Sequence, residues 1–361
     1  MRHDIRTLTL PARADEAGDD GERFRAVADL VDRAYGRRFA GTTALTPGEQ
    51  LAAWRPSSVD DHIVRVAGDR EPAAASSIWL PLRESTDLLD VGLIIDPALP
   101  IQRRRALADA LMDDALSIAA ERGRSTIIGG SPAAATGTVM ASTGFGGAEP
   151  DDPEVGALVD RGFSLEQVFR VSVADIRELD LDARLAAARE RSGPDYELLA
   201  WEGATPVEHR AGMRALHERM SIDAPVGGLS LEPEEWSDER LEEFERRTTA
   251  GGRTLRTAAV RHRPSGELAG FTSLFVGAVL LGDGRDIARQ HDTLVAGPHR
   301  GHALGMLLKL ANLVELRDHH STHPRVATWN AEENRHMLAV NEATGFVAVA
   351  HEGVWQRKDA A

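Results

Sequence analysis

Residues 291 to 318, HDTLVAGPHRGHALGMLLKLANLVELRD, constrain the fold more than any other stretch. A strand, a glycine-bearing turn and an apolar helix follow one another there without a spare residue. His291 to Ala296 is short and rich in Thr, Leu and Val, which suits a strand, and Gly297-Pro298 stops its continuation into helix. Arg300-Gly301-His302-Ala303-Leu304-Gly305 then sets a cation beside residues of little bulk where helical periodicity begins. From Leu304 to Leu316 the strongly polar positions are Lys309, Asn312 and Glu315, three apart, which predicts a narrow wet stripe on an otherwise buried helix. The first N–H groups of a helix lack intrahelical partners and carry partial positive charge, so a turn without bulk lets a phosphate approach them. Each hydrogen bond to a charged group contributes roughly 1.5–3 kcal/mol, so several such amides hold a diphosphate at about micromolar strength.

Val326-Ala327-Thr328-Trp329-Asn330 reads as the next strand, followed by a helix from Asn334 to Thr344 and then Gly345-Phe346. Asn334 and Asn341, seven apart, share a helix face, and Gly345 is the expected C-terminal cap. Arg300, Ala303 and Gly305 after a strand resemble motif A of the GCN5-related N-acetyltransferase (GNAT) superfamily, with Ala303 where glycine is commonest. The sequence strand, Asn330, helix, Gly345-Phe346 resembles motif B.

This resemblance implies an α/β fold built on a mixed, largely antiparallel sheet flanked by helices, and acetyl-CoA as acyl donor. The coenzyme is then expected between two splayed strands. The backbone of Leu294, Val295 and Ala296 would face the thioester and pantetheine, and Arg300, Gly301, His302, Ala303, Leu304 and Gly305 would hold the pyrophosphate. Asn330 and Asn334 would contact pantetheine or the far side of the coenzyme. The resemblance also implies direct attack of an acceptor amine on the thioester. Many members carry a tyrosine that protonates the leaving thiolate, and at that position this chain has Asn341, which donates a hydrogen bond but supplies no proton near neutral pH.

The same pattern occurs earlier. Arg103-Arg104-Arg105-Ala106-Leu107-Ala108 keeps the first Arg, the Ala and the Leu of the later copy and loses both glycines. Thr126 to Gly130 matches the strand at Val326, and Gly162-Phe163 matches Gly345-Phe346, with Gly144-Phe145 as an alternative register. Between them, Gly129 to Pro153 reads as a long loop. Two tandem GNAT-like domains follow: a degenerate copy over 1–178, a linker helix over 179–194, and a copy with the intact acetyl-CoA motif over 195–361. Expected strands are Ile5–Leu10, Ile63–Ala67, Ala74–Leu82, Asp90–Ile95, Glu166–Ile176, Tyr196–Trp201, Leu255–His262 and Leu268–Val276. Expected helices include Phe24–Ala34, Arg177–Arg191 and Val207–Met220. Gly282-Asp283-Gly284 is expected to close a loop. Glu232 to Arg247, with eight acids against three arginines, reads as a helix with a solvated face in the zone that walls the acceptor site in the superfamily. The tandem arrangement resembles the mycothiol synthase-like, actinobacterial branch of the superfamily, and an Arg-rich, Lys-poor composition fits a high-GC source.

With 361 residues, each half is large enough for its own core. A net charge of −15 argues against nucleic acid or an anionic membrane as partner and accommodates a cationic small molecule. The start MRHDIRTLTLPARADE has no apolar signal core and charges interrupt every apolar run, so a cytoplasmic protein is expected. The absence of cysteine excludes disulfides, thiolate nucleophiles and Cys-ligated zinc. His319, His320 and His323 lack a convergent carboxylate spacing, so no metal is expected.

The acceptor imposes one more demand. Reaching the neutral form of an amine with pKa near 10.4 at pH 7 costs roughly 4.6 kcal/mol, so a base is needed. Asp292 is the first candidate and His291 the second, and strand alternation predicts that only one of them faces the site. The reading from sequence is an N-acetyltransferase acting on a small-molecule primary amine, as monomer or homodimer. The alternative is a non-catalytic acyl-CoA-binding or regulatory protein of the same fold.

Overall fold

The computed structural model describes residues 4–68, 71–277 and 286–359. The first half runs β1 (Ile5–Thr7), α1 (Asp19–Arg38), α2 (Pro47–Trp54), β2 (Asp60–Ala67), β3 (Ala74–Pro81), β4 (Leu88–Ile95), α3 (Ile101–Glu121) and β5 (Thr126–Ala133). It continues through the two-residue strands β6 (Val139–Met140) and β7 (Gly147–Ala148) to α4 (Pro153–Val159) and β8 (Ser164–Asp175). A further helix, α5 (Leu181–Ser192), leads into β9 (Tyr196–Glu202), α6 (Arg210–Asp223), α7 (Asp238–Thr249), β10 (Thr254–His262), β11 (Leu268–Val276) and β12 (Ile287–Val295). The chain ends in α8 (Leu304–His319), β13 (Arg325–Ala331), α9 (Arg335–Ala343) and β14 (Val347–Lys358).

Most expected elements are present, with several shifts. The first strand stops at Thr7 instead of Leu10. In place of one long loop after Gly129, β5 continues to Ala133 and β6 pairs with β7 as a short ribbon. Gly162-Phe163 is the matching register, because each Gly-Phe pair ends a helix and opens a twelve-residue strand, β8 or β14, whereas Phe145 is exposed in a loop. The acidic run is not helical throughout: residues 232–237 have no regular structure and α7 starts after the Ser237 cap. The loop expected at Gly282-Asp283-Gly284 lies outside the described residues. α2 and α4 add to the expected elements, and both carry start signals: Thr46-Pro47-Gly48-Glu49 forms a capping box with Pro at the first position, and Asp152 caps α4 ahead of Pro153.

All strands but β6 and β7 form one twelve-stranded sheet in the order β1-β2-β3-β4-β5-β14-β8-β13-β12-β11-β10-β9. The halves exchange their last strands. β14, from the end of the chain, lies between β5 and β8, and β8 lies between β14 and β13. Trp355 on β14 is fully buried in the first half's core, its indole N–H donating to Ser131 Oγ at 2.8 Å. Pairing is antiparallel except for β4 with β5 and β12 with β13, two short parallel contacts at equivalent places in the halves. α3 and α4 cover one face of the first half, and α1 and α2 the other. α5 and α8 cover one face of the second, and α6 and α7 the other. Among the described residues no helix is long and apolar enough to cross a membrane.

The predicted wet stripe of α8 is a correction. Lys309 is 1% and Asn312 0% exposed, and only Glu315 reaches out, to Arg256 at 2.9 Å. The sheet lies on one side of α8 and α5 on the other, so no face is left for water. Asn312 Nδ2 donates to the Thr272 carbonyl at 3.2 Å, and the Lys309 ammonium lies 5.5 Å from the Phe346 ring centroid. Burial pushes Lys309 from 10.5 to about 7. A lysine with a lowered folded pKa is tolerated best at high pH. Its cost grows as pH falls from the unfolded value toward the folded one, by roughly 3 kcal/mol between pH 9.5 and 7. Lys309→Met is therefore expected to raise the denaturation midpoint more at pH 7 than at pH 9.5. Equal gains at both would contradict a buried, titrating Lys309.

Candidate active site

β12 pairs with β13 only from Ile287 to Arg289, against Arg325 to Ala327, and the two strands part beyond that point. On its other edge β12 stays paired with β11, but out of step. Thr272 faces Thr293 while Leu274 faces Gln290, so His291 and Asp292 together oppose Ser273. A bulge of this kind re-aims side chains. It overturns the alternation expected for His291 and Asp292: both line one cavity, with His291 Nδ1 3.3 Å from Asp292 Oδ2. Both also sit in mid-strand, because β12 begins at Ile287.

The cavity measures about 800 Å³ and is walled by both halves. The second half contributes Met220, Trp236 and Phe244, the first Val59, Trp79 and Leu88. The acidic run supplies much of this wall and fastens it to the first half. Arg240 pairs with Glu84 at 2.9 Å, Arg247 with Asp60 at 2.8 Å, and Glu243 accepts from the Ser58 amide at 3.0 Å. Glu245 turns inward to accept from the Thr205 amide at 2.8 Å. The run is thus two-sided: Arg240, Glu243 and Arg247 face the other half, while Glu235, Asp238, Glu239, Glu242 and Arg246 stay exposed as the expected solvated face.

The electrostatics of the site follow from how its groups are packed, with His291 still 38% and Asp292 26% exposed. Burial works against a charged His291, but the charge and hydrogen bond of Asp292 outweigh it and hold the imidazole above its ordinary pKa. Burial also works against a charged Asp292, yet the two neighbouring histidines, His291 first and then His217, keep its carboxyl below the usual range. His217, on α6, is a residue the sequence did not single out. It lines the same cavity, stacks on Trp236 with ring centroids 4.2 Å apart, and burial pushes it down to about 4 despite Asp292. It stands between Met213, Leu216 and Met220 on an apolar helix face, where a lone histidine reads as core.

At the head of α8 the chain makes a 3₁₀ turn from Gly297 to His299, then passes through Gly301 at φ 87° and Ala303 at φ 56°. Ala303 thus takes a left-handed conformation that ordinarily favours glycine. No side chain caps this helix. A Cβ at Gly301 would meet nothing within 4 Å, and one at Gly305 only Val295 Cγ2 at 3.9 Å, so the approach to the first amides is open. This is the space an anionic group needs. Leu304 anchors the helix start in the core. Arg300 turns aside: its guanidinium donates to Asp223 at 2.8 Å and to the Val295 carbonyl at 3.1 Å. His302 is exposed beside the Tyr196 ring, and the Ala296 amide is taken by Ala269 at 2.9 Å.

On the other side of the parting strands, Asn341 is 1% exposed and donates to Asn330 Oδ1 at 2.5 Å. It is not turned to solvent, and its own Oδ1 is buried without a partner among the described residues. Such an orphan acceptor costs free energy unless something donates to it, and an amide-bearing arm lying between the strands would. Asn334 caps α9, accepting from the Met337 amide at 3.2 Å. Gly345, at φ 94°, follows that helix as expected. Glu342 pairs with Arg170 at 2.9 Å. His319 and His320 pair with Glu315 and Glu202. Among the described residues no three His, Cys, Asp or Glu gather as for a metal ion.

The equivalent helix start in the first half differs. No residue from 96 to 108 has positive φ, and Arg104 and Arg105 are directed at Asp152, Glu154, Asp109 and Asp160.

No family model matches the sequence, and no curated protein matches it. Solved structures do. A tandem GNAT protein from the clavulanic acid biosynthesis pathway, 23% identical, aligns over 99% of both chains with a TM-score of 0.74. A GCN5-related N-acetyltransferase from Sphaerobacter thermophilus, 14% identical, aligns over 99% of this chain and 96% of its own with a TM-score of 0.59. A fungal GCN5-related glucosamine N-acetyltransferase region, 10% identical, covers 98% of this chain within 38% of a longer one, at 0.60. With two copies of the parted-strand arrangement and this match along its whole length, the chain has the tandem GNAT fold.

Proposed function

We propose that the chain is an acetyl-CoA-dependent N-acetyltransferase that acetylates a primary amine of a small molecule directly, with its active site in the second half. The division is 1–178, a linker at 179–194 that contains α5, and 195–361. In this reading the second half holds the coenzyme, and the first closes the acceptor cavity. The observation that carries it is the bulge: it brings the His291–Asp292 pair together into a half-open cavity beside the point where β12 and β13 part. The open head of α8 and the orphan oxygen of Asn341 support a coenzyme running along the parted strands.

The chemistry assigns roles. The amine nitrogen attacks the thioester carbonyl carbon, the C–S bond breaks, and coenzyme A leaves as the thiolate. Asp292 holds His291 Nδ1, which leaves Nε2 to take the proton from the ammonium. His217, pushed down to about 4 by burial, is neutral near pH 7 and adds no competing positive charge there. Asn341 spends its amide on Asn330, so the thiolate takes its proton from water or from the amine's own proton carried by His291.

His291→Ala is expected to lower kcat/KM for the amine by roughly 10²-fold or more, the usual contribution of a positioned base. Asp292→Asn tests the pairing through pH. Asp292 raises His291, and the base works only when neutral, so the parent's acid limb lies above the ordinary histidine range. Removing the carboxylate moves that limb to lower pH as the rate falls. A limb that stays in place would show that His291 is not the group titrating.

A further inference from the structure

A second, half-open cavity of about 250 Å³ lies between the halves, bounded by α1, α2, β3 and β4 of the first and by Arg289, Trp329 and Glu352 of the second. It shares no lining residue with the acceptor cavity. Its polar groups lack partners. The carboxylate of Glu352 makes no hydrogen bond or ion pair among the described residues, and neither do the Tyr35 hydroxyl or the Gln50 amide. Thr43 Oγ1 is buried and unsatisfied. Arg289 has one long hydrogen bond, 3.5 Å to the Ala44 carbonyl, and no carboxylate within ion-pair distance among the described residues. The neighbouring charges are partly engaged: Arg38 is paired with Glu154 but also attracts the Glu352 carboxylate, and Glu49, which caps α2, favours the charged form of Arg289.

Burial pushes Glu352 up to about 7 against the pull of Arg38, and the Arg289 guanidinium facing the same cavity has no carboxylate at ion-pair distance among the described residues, so each group gains when a ligand supplies the opposite charge. A ligand that carries one charge of each sign serves both. The walls agree with this. Tyr35, Phe39, Trp54 and Trp329 present aromatic surface, which suits an apolar body and an ammonium approaching a ring face. The volume equals that of about eight waters, enough for a free amino acid with a modest side chain. Catalysis is not what this cavity is built for. β3 and β4 run in step from Ala74 against Ile95 to Trp79 against Asp90, with no bulge to aim an acid–base pair, and the Tyr35 hydroxyl fills the space at Gly92, 2.9 Å from where a Cβ would lie.

We propose that this second cavity is a binding site for a small zwitterion of the α-amino acid type, its carboxylate on Arg289 and its ammonium on Glu352. The site touches β12 at Arg289, two residues before His291. It stands independently of the acetyl-transfer reading, since none of its residues belongs to that machinery.

Calorimetric titration of the full chain with each of the standard α-amino acids, without coenzyme, tests it. At least one is expected to bind with Kd in the millimolar range or tighter. The matching amine without its carboxylate, and the matching acid without its amine, should each bind at least 10-fold more weakly. Glu352→Gln and Arg289→Met should weaken binding at least 10-fold, and Thr43→Val, a change too small to threaten folding, several-fold, with thermal midpoints showing that each variant is folded. Failure of every amino acid to bind overturns the proposal. So does binding unchanged in Glu352→Gln or Thr43→Val, which would move the ligand to another cavity.

Discussion

Gly305→Glu is expected to weaken acetyl-CoA binding by at least about 100-fold while leaving the protein as stable as the parent, or more so. Gly305 lies inside α8 with ordinary helical geometry, and a Cβ there meets only Val295 Cγ2 at 3.9 Å. Glycine is a poor helix former, by about 0.8–1.0 kcal/mol relative to alanine, and a carboxylate in the first turn is favoured by the helix dipole. Folding therefore gains. Binding loses for the same reason, because the carboxylate occupies the place, and the positive potential, that the pyrophosphate needs. Loss of two charge-assisted hydrogen bonds at roughly 1.5 kcal/mol each already amounts to about 100-fold. Gly301→Glu should act similarly but is a less clean test, since φ 87° there adds strain for any side chain. Calorimetry beside thermal melts checks it. A folded Gly305→Glu variant that binds acetyl-CoA as tightly as the parent would remove α8 from the coenzyme site.

The second large effect concerns the end of the chain. Deleting β14 is expected to abolish cooperative folding of both halves, not of the second alone. β14 supplies the neighbour of β5 on one edge and of β8 on the other. Without it the sheet splits, two edges are left unpaired, and Trp355 vanishes from the first half's core. Trp355→Ala alone should cost about 3–5 kcal/mol, the Ser131 hydroxyl losing the indole N–H and keeping only its bond to the Pro132 carbonyl. Thermal or denaturant melts followed by circular dichroism measure this. A truncated chain ending at Phe346 that still unfolds in one sharp transition would show that the first half is complete without β14.

What was legible in the sequence was local. The order strand, glycine turn, apolar helix at 291–318 and the order strand, Asn, helix, Gly-Phe that follows both reflect short-range backbone demands, and both stand in the structure. What was hidden depended on neighbours far away in the chain. The bulge at His291–Asp292 inserts one residue without a glycine to mark it, yet it decides that both side chains face the cavity. Lys309, Asn312 and Glu315 have the spacing of a solvent stripe, and only the docking of α5 makes the first two buried. The run Glu232–Arg247 has the composition of a wet helix, and one side of it is wet, but Arg240, Glu243 and Arg247 find partners in the other half. The exchange of β8 and β14 leaves no mark on the sequence of either strand, because the two repeats present equivalent edges to equivalent partners.

The most direct test of the account is release of free coenzyme A thiol from acetyl-CoA by the full chain, measured against a panel of small primary amines, with Gly305→Glu and His291→Ala in parallel. The account predicts release that depends on a particular amine, yields the N-acetylated product in equal amount, and falls in both variants. Tight binding of acetyl-CoA with no amine-dependent release anywhere in a broad panel would contradict the enzyme reading and favour an acyl-CoA-binding protein. Release undiminished in both variants would place the chemistry outside the second half.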